Sequence, residues 1–291
     1  MMDAARQSDY LSGNRPSELD IAYGDMDHGF MTNETVGELM RDWRKRRRMS
    51  QLDLSLEADV STRHLSFVES GRAAASRELL QRLGERLEMP LRERNRLLVA
   101  GGYAPVHAAH ALDAPEMEEA HTAIRSILDG HSPFPALVVD RLWNLVTANA
   151  PAMGLLSGLP SRFVNPPVNV LRATLDPEGL APRIENLAEW RHHLLGRLRA
   201  DFTATADPGL ARLHDDLAAI PTPRSKAPPP PVARVAVPLM LRVPSGPLLS
   251  LLSTTTVFGT ANDITLAELT LESFFPADAT TRRFFVESSN P

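Results

Sequence analysis

The apolar residues between positions 35 and 101 recur every three or four residues, which is the spacing of one face of an α-helix. Short polar signals of the Ser/Thr-x-x-acid type interrupt this pattern, and such signals cap the N-termini of helices. The segment therefore predicts a compact all-α unit of five short helices. They are expected to begin near Thr35, Ser50, Ser61, Ser76 and Leu91.

The third of these predicted helices has two chemically different faces. Leu65 and Val68, three residues apart, are expected to point into the bundle. Thr62, Arg63 and Phe67 fall on the opposite side and are expected to face solvent. A short helix that is anchored on one side and exposed on the other is suited to entering the groove of a nucleic acid.

Turns are predicted on both sides of this helix. Ala58 is a small residue before the first turn, and Asp59 enters the left-handed backbone region more readily than most residues. Ser61 is the N-cap candidate, and the N–H groups of the first turn beside it can bind a phosphate. Gly71 lies where helices commonly end in a left-handed residue. Residues 50–72 are therefore predicted to form a helix-turn-helix.

Beyond residue 112 the pattern changes to short β-rich runs separated by helices. FPALVVD (134–140) and LWNLVTAN (142–149) predict two strands around a charged turn. Three further β-rich runs close the chain, at 232–243, 247–259 and 263–275. Helices are predicted at about 115–129, 149–156, 184–202 and 208–220, with irregular or polyproline segments at 157–182 and 221–231. Antiparallel strands with helices to one side indicate an α+β domain.

The composition is that of an ordinary globular protein, since 43% of the 291 residues are hydrophobic and 23% are charged. This length favours two domains. The chain has no cysteine, which excludes disulfides, cysteine-based zinc sites and thiol nucleophiles and is typical of a reducing cytoplasm. No run of about 18 apolar residues occurs, so no membrane-spanning helix is expected.

The net charge of −5 hides an uneven distribution along the chain. Residues 35–101 contain 14 Lys and Arg against 10 Asp and Glu, a net charge of +4. Residues 1–34 carry a net charge of −5 and are predicted to be a disordered acidic tail, and residues 102–291 carry −4. A positive segment of domain size between acidic ones indicates a nucleic-acid partner.

No catalytic site, metal site or cofactor is predicted. His192 and His193, like His107 and His110, lack the carboxylate neighbours of a metal centre. The run GLLSG (154–158) does not fit the Gly-x-Ser-x-Gly turn of a serine nucleophile. Because no segment gathers an acid, a base and a nucleophile, we expect that the protein is not an enzyme.

The helix-turn-helix segment resembles a known family. SQLDLSLEADVSTRHLSFVESGR (50–72) looks like the Xre-type, lambda-repressor-like helix-turn-helix, and that likeness extends over about residues 35–101. More narrowly, VSTRHLSFVESGRA, PLRERNRLLVAGGYAP and NDITLAELTLESFFPAD resemble the MmyB-like transcriptional regulators over nearly everything after residue 35. Asp59 departs from the pattern, because Xre domains usually have Gly there. The resemblance implies a DNA-binding regulator with a PAS-like, antiparallel-sheet ligand-binding domain.

The resemblance also implies roles for residues in and near the helix-turn-helix. Gln51 is expected to contact a phosphate, while Thr62, Arg63 and Phe67 occupy base-reading positions. Arg63 is the candidate for a guanine contact, and Phe67 is suited to packing on a thymine methyl. The remaining candidates, on the phosphate side, are Ser61, His64, Arg72, Arg44 and Arg47.

The second domain is expected, by the same resemblance, to enclose an apolar cavity for a fatty-acid-like ligand. The residues expected to line the cavity are Leu137, Val139, Trp143, Leu145, Leu249, Leu251, Phe258 and Phe274. A carboxylate head group would need an arginine or backbone donors at the mouth of the cavity. Arg172 and Arg183 are the candidates for that contact.

Two hypotheses remain open from the sequence. The first is a cytoplasmic, nucleoid-associated bacterial regulator that binds a double-stranded DNA operator as a homodimer and senses a small apolar or amphipathic ligand, without contact to a membrane. The second is a helix-turn-helix regulator whose C-terminal domain serves only dimerisation or protein–protein interaction. Either way the fold class is α+β overall. The expected segments are a tail at 1–34, a five-helix DNA-binding domain at 35–102, a linker at 103–112 and a PAS-like domain at 113–291.

Overall fold

The computed structural model of the chain describes residues 34–221, 236–244 and 246–288. The predicted tail (apart from Glu34) and the predicted polyproline segment (apart from Pro221) therefore lie outside the described residues. The N-terminal helices are α1 (Val36–Arg46), α2 (Gln51–Glu57), α3 (Thr62–Glu69), α4 (Arg77–Arg86) and α5 (Leu91–Ala100). The five-helix prediction is confirmed.

Local signals set the ends of these helices. Thr35 and Glu38 form a reciprocal capping box at the start of α1, and Ser50 and Asp53 form another at the start of α2. Ser61 accepts a hydrogen bond from the backbone N–H of His64 at 3.2 Å and so caps α3. These side chains satisfy backbone donors that have no partner within a helix, as predicted.

The helices of the first unit close around one apolar core. Leu54, Leu65 and Leu83 are fully buried in it. The backbones of α1 and α3 approach closely at Gly37, where a Cβ atom would lie 2.2 Å from the carbonyl oxygen of Glu69. Only glycine fits this contact without a shift of one helix.

The second unit is a sheet with helices on both faces, so the prediction that the helices lie to one side is wrong. It begins after a short 3₁₀ turn at Pro115–Met117, and two further such turns lie at Ser161–Phe163 and Ala181–Arg183. Its helices are α6 (Glu118–Gly130), α7 (Ala150–Leu156), α8 (Val170–Leu175), α9 (Leu187–Thr205), α10 (Pro208–Ala219), α11 (Ile264–Ala267) and α12 (Ala279–Ser288). Its strands are β1 (Ala136–Val139), β2 (Leu145–Ala148), β3 (Leu239–Arg242), β4 (Leu248–Val257) and β5 (Thr270–Pro276).

The described strands form one antiparallel sheet in the order β2-β1-β5-β4-β3. Leu137 and Thr255 both pair with Glu272, so these three side chains share a face. That face packs on α8, α9 and α10, and the opposite face packs on α6 through residues such as Val138 and Leu271. The α+β fold class with an antiparallel sheet is confirmed.

The last predicted strand differs from the structure at its beginning. Residues 263–268 were expected to be extended, but Ile264–Ala267 forms the short helix α11. Asp263 explains the difference, because its side chain accepts a hydrogen bond from the N–H of Leu266 at 3.2 Å and caps the helix. Helix α8 lies in a segment that was predicted to be irregular.

The connector between the two units is held in place at several points. Asn95, buried on α5, donates to the carbonyl oxygen of His107 at 2.7 Å and accepts from the N–H of Val106 at 3.0 Å. Further along, the N–H of Ile264 donates to the carbonyl oxygen of Ala108 at 2.8 Å. Because both units bind the connector, it is part of their junction.

An ion pair joins the units directly, and a second pair lies beside it within the second unit. Arg92 of α5 donates two hydrogen bonds to Glu268, with Nε–Oε1 and Nη2–Oε2 distances of 2.8 and 2.9 Å. Arg141, in the turn between β1 and β2, pairs with Asp207 and lies 3.8 Å from Glu268. We call the set Arg92, Glu268, Arg141 and Asp207 the interdomain latch.

Candidate functional site

The turn between α2 and α3 has the geometry that the sequence predicts. Ala58 ends α2 and Asp59 adopts a left-handed conformation with a φ of 49°. The N–H of Val60 then donates to the carbonyl oxygen of Ser55 at 2.9 Å, which closes the turn. The expectation that Asp59 can replace the usual glycine is thus confirmed.

Helix α3 is anchored on one side and open on the other. Leu65 and Val68 are buried in the core of the first unit. Thr62 and Arg63 are exposed, and Phe67 is half-buried. Gly71, with a φ of 72°, ends the helix and leads to Arg72, which is also exposed.

The exposed side chains of α3 interact with one another and with α2. The guanidinium of Arg63 lies over the ring of Phe67, 5.3 Å from the ring centroid, which is a cation–π contact. The hydroxyl of Thr62 is 3.0 Å from that of the buried Ser55. These contacts limit the rotamers that Thr62, Arg63 and Phe67 adopt before they meet a partner.

Other predicted DNA contacts lie around this surface. The amide of Gln51, at the start of α2, donates to the carboxylate of Glu69 at 2.8 Å and remains half-exposed. Ser61 lies exposed at the start of α3, and His64 is half-buried in its first turn. The structure therefore places Ser61, Thr62 and Arg63 together at the start of α3, whereas Gln51 contacts the last residue of that helix.

Arg44 lies inside the bundle, which does not favour the phosphate contact predicted for it. Its Nε and Nη2 atoms donate to Glu69 at 2.7 and 3.0 Å, and its Nη1 atom donates to the carbonyl oxygen of Met49 at 3.0 Å. Burial by itself raises the pKa of Glu69, but hydrogen bonds from Arg44 and Gln51 outweigh burial and leave that pKa below its usual value. The sequence analysis did not predict a role for Glu69. The signal available in the sequence was that this charged residue falls on the buried face of α3.

Arg47 is engaged in a similar way. Its Nε and Nη2 atoms donate to the carbonyl oxygens of Leu87 and Glu88 at 2.8 and 2.7 Å, and its guanidinium lies over the ring of Trp43. It therefore satisfies carbonyl groups at the C-terminus of α4. Arg47 therefore has a structural role, which does not favour the phosphate contact predicted for it.

In the second unit, the residues predicted to line a cavity fall mostly on one face of the sheet. The core between the sheet and helices α8 to α10 contains seven of them, namely Leu137, Val139, Trp143, Leu145, Leu249, Leu251 and Phe274. Phe258 is the exception, because it packs in the separate core beside α6. It follows Val257, and successive residues of a strand face opposite sides of a sheet.

The two arginines proposed for a head group do not meet at this core. Arg172 forms an exposed ion pair with Asp216 at 2.6 Å. Arg183 donates to the carbonyl oxygens of Arg242 and Leu155 at 3.1 and 3.4 Å, and burial lowers its pKa. Both arginines serve local contacts at other edges of the domain.

A different charged group lies against the apolar face. Arg197 of α9 donates to both carboxylate oxygens of Glu272 on β5, with an Nη1–Oε2 distance of 3.0 Å, and stacks over the ring of Trp143 at 4.7 Å. The hydroxyl of Thr255 donates to Glu272 at 3.1 Å. Asp201 lies one helical turn beyond Arg197 on α9. We call the set Arg197, Glu272, Trp143, Thr255 and Asp201 the Arg197 cluster.

The cluster lies in a desolvated environment. Burial raises the pKa of Asp201, and the nearby Arg197 and Trp143 offset only part of that rise. Burial also lowers the pKa of His193, with a further contribution from Arg197. His193, Arg197 and Asp201 recur every fourth residue along a helix rich in leucine, and this polar stripe is the signal in the sequence that would have located the site.

The apolar face is filled by side chains in this structure. Two open depressions are found among the described residues, and neither lies between α9 and the sheet. One lies beside α6, lined by residues 115–123, and the other lies beside α1 and includes Arg41. A ligand at the apolar face therefore requires side chains or helices to move.

The part of the chain that is described has neither a metal centre nor a membrane-spanning helix. It contains no group of three or more His, Cys, Asp or Glu side chains arranged to hold a metal ion. None of its helices combines the length and the apolar character needed to cross a bilayer.

Comparison with protein families agrees with this geometry. Residues 40–94 match a helix-turn-helix family, and residues 120–286, more than half of the chain, match the MmyB-like transcription regulator ligand binding domain. No curated protein matches the chain. The two matched domains define a DNA-binding transcription regulator with a ligand-binding domain. Within that class, the chain belongs to the MmyB-like family of transcription regulators.

Proposed function

We propose that the protein binds a specific operator through α3 and that a small apolar or fatty-acid-like effector controls this binding. The observation that carries the DNA-binding part is the placement of α3. Leu65 and Val68 hold the helix to the bundle, while Thr62 and Arg63 are exposed and Phe67 is half-buried. These three residues are the ones proposed to read bases.

A homodimer is part of the proposal. Two copies of α3 would then enter successive major grooves about 34 Å apart. One face of α5 is occupied by the second unit of the same chain, through Arg92 and Asn95. The proposed dimer therefore uses other surfaces.

The proposed effector site is the core between the sheet and α9. Its support is the size of the apolar cluster, which includes Trp143, Leu194, Leu198 and Leu251, together with the family's ligand-binding domain. An amphipathic molecule would fit a region that is apolar and has one charged group at its border. An effect of about tenfold on DNA affinity would require a coupling free energy of about 1.4 kcal/mol.

A second candidate function is favoured by the filled core. A ligand-binding domain with a closed, packed interior can also serve only for dimerisation or for docking another protein. Extraction of the purified protein with organic solvent, followed by mass spectrometry for bound lipid, separates the two candidates. A stoichiometric lipid supports the effector, and a lipid-free protein that dimerises and regulates normally supports the alternative.

The DNA-binding proposal is tested with selected genomic fragments at a stated salt concentration. The wild-type protein is expected to enrich a defined sequence, and Arg63→Ala is expected to lose about 1–3 kcal/mol of discrimination at one base pair. Arg162→Ala, which removes an exposed arginine from the second unit, is the control for net charge. Equal binding of the selected site by Arg63→Ala and the wild type would contradict the assignment of α3.

A further inference from the structure

The Arg197 cluster is built like a receptor for a carboxylate. A guanidinium forms two parallel hydrogen bonds with a carboxylate, and this is the contact that Arg197 makes with Glu272. The stacking of Arg197 on Trp143 fixes the plane of that fork. The cluster therefore holds a positioned guanidinium, paired with Glu272, at the border of the apolar core.

The cluster is also reachable from solvent. The side chain of Arg197 is 20% exposed to solvent, whereas that of Glu272 is 4% exposed. On the same face of β4, Thr255 is exposed and Val257 is 59% exposed. A molecule can thus approach Arg197 along the open end of β4 without first passing through the core.

One buried donor near the cluster has no partner. Trp190 of α9 is 3% exposed, and its indole Nε1 finds no hydrogen-bond acceptor among the described residues. His193 is the first residue of the polar stripe, and its ring centroid lies 5.3 Å from that of Trp190. An unsatisfied buried donor is costly and uncommon in proteins, and an oxygen-bearing ligand is one way to satisfy it.

We propose that Arg197 binds the carboxylate of an amphipathic ligand, which displaces Glu272 from the guanidinium. This inference rests on the proposed effector function, because the tail of the ligand would occupy the core beside α9. It replaces Arg172 and Arg183 as the residues that recognise the head group.

Displacement of Glu272 has a physical consequence for β5. A carboxylate left unpaired in a buried position is strongly unfavourable, so Glu272 has to move toward water. Its remaining hydrogen bond is to Thr255, at the open end of β4. Binding is therefore expected to pull this part of β5 away from α9.

Two chain segments connect the cluster to the interdomain latch. Glu268, which binds Arg92 of α5, precedes Glu272 by four residues. Arg141, which pairs with Asp207, precedes Trp143 by two residues. Movement of Glu272 would therefore be transmitted to the Arg92–Glu268 pair, which joins the two units, and movement of Trp143 to Arg141 beside that pair. The helix-turn-helix unit would then loosen from the ligand-binding unit.

The test compares two probes, sodium decanoate and 1-decanol, which share an apolar chain and differ in the carboxylate. Binding is followed by calorimetry on the full chain.

The wild type is expected to bind decanoate at least tenfold more tightly than 1-decanol. Arg197→Gln is expected to lose that preference while it still binds 1-decanol, and Glu272→Gln is expected to bind decanoate more tightly because the competing carboxylate is gone. Arg162→Gln, which removes an exposed arginine paired with Glu178, is the matched control and should behave as the wild type.

The outcomes separate the inference from the function on which it rests. Equal binding of both probes by the wild type would overturn the carboxylate site and leave the apolar effector site intact. Failure of both probes to bind would count against the effector function itself. Hydrogen exchange of residues 91–100 tests the relay, since decanoate should raise exchange there and 1-decanol should not. Unchanged exchange at saturating decanoate would refute the relay.

Discussion

Arg44 of α1 and Glu69 at the end of α3 form a two-point ion pair, with Nε–Oε1 and Nη2–Oε2 distances of 2.7 and 3.0 Å. The amide of Gln51, the first residue of α2, donates to the same carboxylate at 2.8 Å. Three helices of the DNA-binding unit therefore meet at one buried carboxylate. The contacts of Arg44 and Gln51 with Glu69 hold α1 and α2 against α3, in the relative orientation that a DNA groove would contact.

Loss of Arg44 is expected to destabilise the DNA-binding unit. Arg44→Met removes both charged hydrogen bonds to the buried carboxylate of Glu69 and leaves Arg41 4.0 Å away, which costs about 3–5 kcal/mol of unfolding free energy. Urea denaturation followed by circular dichroism measures this change. Arg162→Met, in an exposed pair with Glu178, should change stability by at most about 1 kcal/mol. Similar effects of the two substitutions would show that the buried pair contributes little.

Acidification is expected to remove the contribution of Glu69 to stability. The folded-state pKa of Glu69 lies below its usual value, so the ionised form is favoured by folding. This contribution is fully present above the unfolded-state pKa, about 4.3, and is lost as the pH falls through the lower folded-state pKa. Glu69→Gln lacks it, so the stability difference between wild type and variant should shrink on acidification below about pH 4.3.

The comparison with Glu69→Gln is necessary because other carboxylates titrate in the same range. Hydrogen bonds from Thr35 lower the pKa of Glu38, and hydrogen bonds from Ser50 lower the pKa of Asp53. Both capping carboxylates remain in the variant, so they cancel in the difference. A constant difference between wild type and variant from neutral to acid pH would argue against a role for Glu69 ionisation.

A methyl group at position 37 is expected to separate α1 from α3. The Cβ of Gly37→Ala would lie 2.2 Å from the carbonyl oxygen of Glu69, and backbone atoms cannot yield as a flexible side chain can. The expected loss is about 1–3 kcal/mol, with weaker operator binding because α3 is displaced. The matched control is Gly196→Ala in α9, where the added Cβ meets open space. The unfolding free energy of that variant should rise by up to about 1 kcal/mol, because alanine has a higher helix propensity than glycine. Equal effects of the two substitutions on stability would contradict the close approach of α1 and α3.

Arg72 is expected to contribute to DNA binding in a different way from Arg63. It lies exposed just after Gly71, in a position suited to a phosphate contact. Arg72→Ala should weaken binding to specific and non-specific DNA alike and lower the slope of log K against log salt by about 1. Titrations of both DNAs at three salt concentrations measure this. A loss confined to the specific operator would instead place Arg72 at a base.

The local features of the DNA-binding unit were predictable from the sequence. The capping residues Thr35, Ser50 and Ser61, and the left-handed turn at Asp59, depend on interactions within a few residues. Short-range hydrogen bonds and backbone preferences act on these positions whatever the rest of the chain does. The helix-turn-helix and the buried side of α3 followed from such signals.

The roles of the arginines were not predictable in this way. Arg44, Arg47 and Arg63 are equivalent as basic residues in the sequence, yet Arg44 binds Glu69, Arg47 binds the end of α4 and Arg63 stays exposed. Partners distant in the chain decide between these outcomes. The same holds for α11, where Asp263 caps a helix and so overrides the strand pattern that follows it.

By itself, the amino-acid sequence determined the secondary structure of the first unit, the α+β class and the family resemblance, because periodicity and caps are local properties. Only the tertiary structure decided which charged groups meet. Arg197 and Glu272 are far apart in the chain and come together because α9 packs across β5, and Arg92 reaches Glu268 because α5 packs on α11. An ion pair of this kind depends on the relative position of two elements, and only the packing of the whole core sets that position.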